Sequence, residues 1–296
     1  MIEHVRIGDL EVLAGRAAAG RKKHPYPLVF VHGAFMGAWC WEPFFLPYFA
    51  GKGWDCYALS LSGHGGSRER YLLDSYDMDD YVHDVEELVT MLDTPVVLIG
   101  HSMGGMVVQK YLEDNDALAA VLLCSVPPQG LMGSALDMIM TKPFLFTQMN
   151  TAMNSGHVST MMLRNGLFYQ EVDEDRLHEY CAHCQSESLR AIWDMTMFNL
   201  PDVQHLHLPP LLVAGAGEDR IISPSLVEST AVSYDVEARI IPHMGHGVML
   251  ERNWNDMADC ISQWLIQQKL EKKWKSALSE TYHHNMDSEQ FEGLNV

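Results

Sequence analysis

The stretch Val96-Val97-Leu98-Ile99-Gly100-His101-Ser102-Met103-Gly104-Gly105-Met106-Val107-Val108 runs from an apolar strand pattern through a glycine-rich turn into a helix pattern. Four apolar residues in a row suit a strand covered on both faces, and the apolar run after Gly105 continues as a helix. Between them stands G-x-S-x-G on a strand-to-helix turn. Such a turn holds its serine in a strained backbone conformation, and small flanking residues keep side chains from clashing with strand and helix. Ser102 is therefore the expected nucleophile. The same residues would also suit a serine capping a helix after a glycine-rich turn. The strand on the amino side favours the first reading.

Short apolar runs of the same kind recur at 28–31, 54–59, 120–124, 211–214 and 238–241. Helix-length segments lie at 41–52, 77–92, 103–114, 224–233 and 253–270, and residues 2 to 16 alternate about Gly8-Asp9 like an opening hairpin. The alternation predicts an α/β chain with a doubly wound, mostly parallel, eight-stranded sheet. Residues 127–208 break it: they hold no convincing strand, show amphipathic stretches such as 174–190, and carry nine of the 19 methionines. They are expected to form a helical cap lined by thioethers and by Phe144, Phe146, Phe168 and Trp193, adaptable to apolar groups of varied shape. The core then comprises 1–126 and 209–270, with 271–296 as a C-terminal extension.

A serine hydroxyl needs a base, and the base needs an orienting acid. The loops at the carboxyl ends of late strands are where open α/β sheets place such groups. Gly217-Glu218-Asp219 and His243-Met244-Gly245-His246-Gly247 follow two of those strands. Asp219 is preferred to Glu218 on loop position, and His246, between two glycines, to His243. An oxyanion hole requires two backbone N–H groups. Met103 is the first; in His32-Gly33-Ala34-Phe35, Ala34 is the candidate second, with Phe35 beside it. His32 reads as structural, tying its loop together. Phe35 and His101 are candidate substrate contacts.

The 296 residues are 47% hydrophobic, enough for one large core. Lys plus Arg is 20 against 39 Asp plus Glu, a formal charge of −19 that opposes nucleic acid or anionic lipid as a partner. The N-terminus opens with charges, and no apolar run approaches the roughly 20 residues of a membrane span. Six cysteines, mostly in apolar segments, suit a reducing cytoplasm. His178, Cys181, His183 and Cys184 lack the second pair a zinc site needs, so no metal is expected. The acidic run Asp74 to Asp84 reads as a solvated loop and helix start. Oligomeric state leaves no legible mark.

His32-Gly33, Leu61-Ser62-Gly63-His64-Gly65-Gly66-Ser67, Gly100 to Gly105, Gly217-Glu218-Asp219 and Gly245-His246 together resemble the α/β-hydrolase fold superfamily over about 25–268. The stretch from His32 to Trp41 also looks like the start of the plant methylesterase and hydroxynitrile lyase branch. The resemblance implies acyl transfer by Ser102, His246 and Asp219 without a cofactor, on a small to medium hydrophobic ester or lactone. Thioesterase, carbon–carbon hydrolase, perhydrolase and cyanohydrin lyase reactions use the same site in relatives, and a non-catalytic receptor is a further reading. The negative charge favours neutral esters over polyanionic thioesters.

Overall fold

The alternating runs assemble into one eight-stranded sheet in the computed structural model, which describes residues 2–155, 157–204, 208–272, 274 and 275. The strands are β1 (Ile2–Ile7), β2 (Leu10–Gly15), β3 (Leu28–Val31), β4 (Cys56–Leu59), β5 (Val97–His101), β6 (Ala119–Leu123), β7 (Leu211–Ala216) and β8 (Ala238–Ile241). Their spatial order is β1-β2-β4-β3-β5-β6-β7-β8, antiparallel across the first two pairs and parallel thereafter. The expected mostly parallel doubly wound sheet is what forms.

Residues on alternate sides of each central strand feed two cores. Phe30, Ile99 and Val121 pack with Trp41, Phe45 and Phe49 on one face. Val29, Val31, Leu98 and Leu122 pack with Val85, Met106 and Val107 on the other. Burial on both faces explains why these strands read as continuous apolar runs. The flanking helices are α1 (Phe45–Gly51), α2 (Met78–Leu92) and α3 (Met103–Asp114). The predicted helix at 41–52 starts late: a 3-10 turn occupies Ala38–Trp41, and α1 begins after Pro43, with Pro47 in its first turn where a missing N–H costs nothing.

Between β6 and β7 lie α4 (Met132–Thr141), α5 (Pro143–Ser155), α6 (Thr160–Leu167), α7 (Glu174–His183) and α8 (Leu189–Trp193), followed by a π turn at Asp194–Phe198. After them come α9 (Pro224–Ser233) and α10 (Trp254–Gln267). The proposed C-terminal extension 271–296 lies outside the described residues except for 271, 272, 274 and 275.

Two expectations require correction. The single amphipathic helix at 174–190 is broken, because residues 184–188 run extended and bury Gln185 and Glu187 against loops of the sheet. Specific polar contacts there outweigh helical periodicity. The acidic run is not wholly solvated either. Asp77 and Asp80 form a capping box at the start of α2, but Asp84 is buried and accepts the Ser62 N–H at 2.6 Å and hydroxyl at 2.8 Å. Burial raises its pKa to about 6 despite those bonds.

Candidate active site

Register sets the site. Val31 pairs with Gly100 and Gly100 with Leu122, so β3, β5 and β6 end level and bring 32–35, 101–103 and 124–126 together. Ser102 stands between β5 and α3 at φ 54° and ψ −116°, a left-handed strain fixed from both sides. Its N–H donates to the Leu123 carbonyl at 2.9 Å and its carbonyl accepts the Val126 N–H at 3.1 Å. Among the described residues its side chain makes no capping bond to α3. A Cβ at Gly104 would come within 2.4 Å of the Val31 and His32 carbonyl oxygens. Only glycine lets α3 approach β3 this closely, and the approach sets the Met103 N–H at the positive end of that helix.

The His32 ring behaves as a tie. Its Nδ1 donates to the Gly33 carbonyl at 2.8 Å and its Nε2 accepts the Leu61 N–H at 3.0 Å. Complete burial pushes its pKa down to about 3, so the ring is neutral. Phe35 follows at φ 67°, its N–H donating to Glu187 Oε2 at 3.3 Å and its carbonyl accepting the Gln185 N–H at 3.0 Å. Among the described residues the Ala34 and Met103 N–H groups have no such acceptor. Of the two candidates in this loop, Ala34 carries the unengaged donor.

Asp219 and His246 are both buried, and the His246 Nδ1–H donates to Asp219 Oδ2 at 2.7 Å. Asp219 Oδ1 accepts the N–H groups of Ile221 at 2.8 Å and Ile222 at 2.9 Å, which aims the carboxylate at the ring. His246 Nε2 remains as the basic nitrogen. The rival residues Glu218 and His243 are exposed. Ser102 and His246 line one cavity, with no hydrogen bond between their side chains among the described residues; such bonds commonly tighten only in the complex.

Three neighbours were not singled out from sequence. Cys124, at φ 44° just past β6, sets its thiol against Asp219, and burial followed by that carboxylate pushes the thiol's pKa far up. Its place at a strand's carboxyl end was the available signal. Glu251 Oε1 accepts the N–H groups of Gly245 at 2.8 Å and Tyr169 at 2.6 Å, bracing the His246 loop against the helical insertion. Glu187 braces the opposite loop. Of the discounted metal candidates, the Cys181 thiol donates to the Val158 carbonyl at 2.9 Å and His183 stacks on Trp39.

Two compartments meet at Ser102. The smaller, about 60 Å³, is lined by His246, His101, Leu163, Leu167 and Cys184. The larger, about 500 Å³, runs under α4, α5 and α8 past Met138, Met149, Met153, Ile192 and Trp193. Ala34 and Phe35 border both, whereas His101 borders only the smaller. The His101 Nε2–H donates to the His246 carbonyl at 2.8 Å, and burial, followed by the neighbouring His246, drives its pKa well down, leaving the ring neutral.

The model of the alpha/beta hydrolase family matches residues 28–259. Methylesterase 3 of Arabidopsis thaliana is 38% identical over 88 residues, 29% of this chain and 32% of that protein. Pheophorbidase of Raphanus sativus is 35% identical over 121 residues, 38% of this chain and 44% of that one. The chain thus matches less than half the length of these relatives. An esterase structure from Thermogutta terrifontis superposes with TM-score 0.67 at 17% identity, covering 90% of this chain and 98% of the other. A bromoperoxidase from Bacillus anthracis gives 0.65 at 17%, covering 90% and 99%. No described helix is long and apolar enough to cross a membrane. Sheet order, strained serine turn and a match across most of its length lead to one conclusion: the chain belongs to the alpha/beta hydrolase family.

Proposed function

We propose that the protein is a serine hydrolase of carboxylic esters joining a larger apolar acyl group to a small alcohol. The observation that carries this reading is the meeting, at one cavity, of Ser102, the Asp219–His246 pair and two unengaged N–H groups. Ser102 attacks the ester carbonyl while His246 Nε2 takes its proton. Asp219 holds the imidazole and stabilises its charged form. The Ala34 and Met103 N–H groups meet the oxyanion. His246 then protonates the departing alcohol, and a water activated by the same nitrogen hydrolyses the acyl-enzyme.

Because His246 must reach the leaving oxygen, the compartment it lines is the alcohol side. A volume of about 60 Å³ accommodates only a few non-hydrogen atoms, given that one water needs roughly 10–15 Å³. The acyl group then takes the larger space, which falls in the range of small-molecule sites, roughly 300–1,000 Å³. Named methylesterases among the relatives fit the same division. The test is turnover of aryl and methyl esters by wild type and Ser102→Ala, with fluorophosphonate labelling. Loss of roughly 10⁶-fold in kcat and of labelling is expected; a folded Ser102→Ala that keeps either would refute the reading.

A further inference from the structure

The extended segment 184–188 is held to the sheet by an unusual density of buried polar contacts. Gln185 accepts the Gly65 N–H at 2.9 Å and donates to the Gly63 carbonyl at 2.8 Å, while its own N–H holds the Phe35 carbonyl. Glu187 is completely buried and uses both oxygens. Oε1 accepts the Tyr81 hydroxyl at 2.7 Å and the Ser188 N–H at 2.8 Å. Oε2 accepts His64 Nε2 at 3.0 Å and the Phe35 N–H at 3.3 Å. His64 Nδ1 also points at an acceptor, the Ser62 carbonyl at 3.0 Å, so both ring nitrogens donate and the ring is an imidazolium.

The Phe35 peptide is thus gripped at both ends by residues of the insertion, at a backbone angle of φ 67° that a phenylalanine does not hold without support. Ala34 is its neighbour, and the direction of the Ala34 N–H follows the orientation of this turn. A buried carboxylate beside a developing oxyanion would by itself oppose the charge that catalysis must stabilise. Paired with the His64 imidazolium, it holds the loop while adding no net charge. We infer that Glu187 is a positioning residue for the oxyanion hole, reaching from the helical insertion to the Phe35 N–H to aim the Ala34 donor at the transition state. The inference rests on the hydrolase reading above and names the residue that makes one of its two donors effective.

Glu187→Gln keeps the shape but offers one acceptor oxygen in place of two. Once the amide carbonyl serves Tyr81 and Ser188, the NH₂ group faces the Phe35 N–H, and the loop loses its anchor. The measurement is inhibition by a trifluoromethyl ketone, which forms a tetrahedral adduct with a serine, against the corresponding methyl ketone, which stays planar. In Glu187→Gln the preference for the tetrahedral ligand and kcat should both fall about tenfold or more, with methyl ketone affinity and KM within about twofold. An unchanged preference in the folded variant overturns the inference. If Glu187→Gln does not fold, Tyr81→Phe decides. It leaves Oε1 only the Ser188 N–H, and should lower the same preference by about two- to threefold; no change there overturns the inference equally. Ser102→Ala separates the two levels. If it binds the trifluoromethyl ketone as tightly as wild type, the hydrolase reading fails, whereas a Glu187-insensitive preference that still needs Ser102 removes only the positioning role.

Discussion

The sheet and the helical insertion approach Ser102 from opposite sides and are built on different principles. On the sheet side the candidate catalytic groups are set by backbone, with Phe35, Ser102 and Cys124 all at positive φ and their loops tied by hydrogen bonds. On the insertion side the wall is largely thioether and aliphatic side chains, such as Met138, Met149 and Leu163, whose contribution is volume. On the proposed reading, the sheet side carries the chemistry and the apolar wall of the insertion selects the molecule that fits, with Glu187 reaching across from the insertion to serve the first. The division implies that substitutions in the apolar wall of the insertion and on the sheet side change different kinetic quantities.

The sharpest break of that division comes from the sheet side. Asp219→Asn keeps the shape of the carboxylate but favours the wrong tautomer of His246, so kcat should fall by roughly 10⁴-fold with little change in KM. A loss below about tenfold in steady-state assays would mean that His246 is oriented by something else. From the insertion side, Leu163→Ala should widen the small compartment. Butyl esters should gain about tenfold in kcat/KM relative to methyl esters of the same acid, in line with what a methylene or more is worth in an apolar pocket. An unaltered chain-length profile would place the alcohol elsewhere. The accompanying core cost of about 2–5 kcal/mol is read separately from thermal unfolding.

Legibility from sequence follows the range of each signal. The elbow, the two late loops and the sheet were readable because each is a local signal: a short apolar run, then glycines where the backbone must bend or approach closely. Glu187 was not readable. It lies in Cys184-Gln185-Ser186-Glu187-Ser188, a polar run that looks like the outer face of a helix, and its partners Phe35, His64 and Tyr81 are more than a hundred residues away in the chain. Asp84 was misread for the same reason, since the Ser62 loop that buries it is distant in sequence. Only the pairing of β3, β4 and β5 brings these groups into reach.

The joint made by His64 and Glu187 also ties the attachment of the insertion to proton concentration. Burial alone would lower the His64 pKa, but Glu187 and the hydrogen bonds hold it above its ordinary value. Burial alone would raise Glu187, but His64 and the donors around it hold it below. A raised histidine contributes stability that is whole below about pH 6.5 and is lost as pH rises through its elevated pKa. A depressed glutamate contributes stability that is whole above about pH 4.3 and is lost as pH falls through its lowered pKa. The joint is therefore firmest in mildly acid solution and slackens toward either extreme. The gap in thermal midpoint between wild type and Glu187→Gln should peak between about pH 4.5 and 6.5, and a gap that is flat with pH would show that the pair is not ionised. An enzyme hinged on such a pair would lose the grip of its insertion before it loses its sheet.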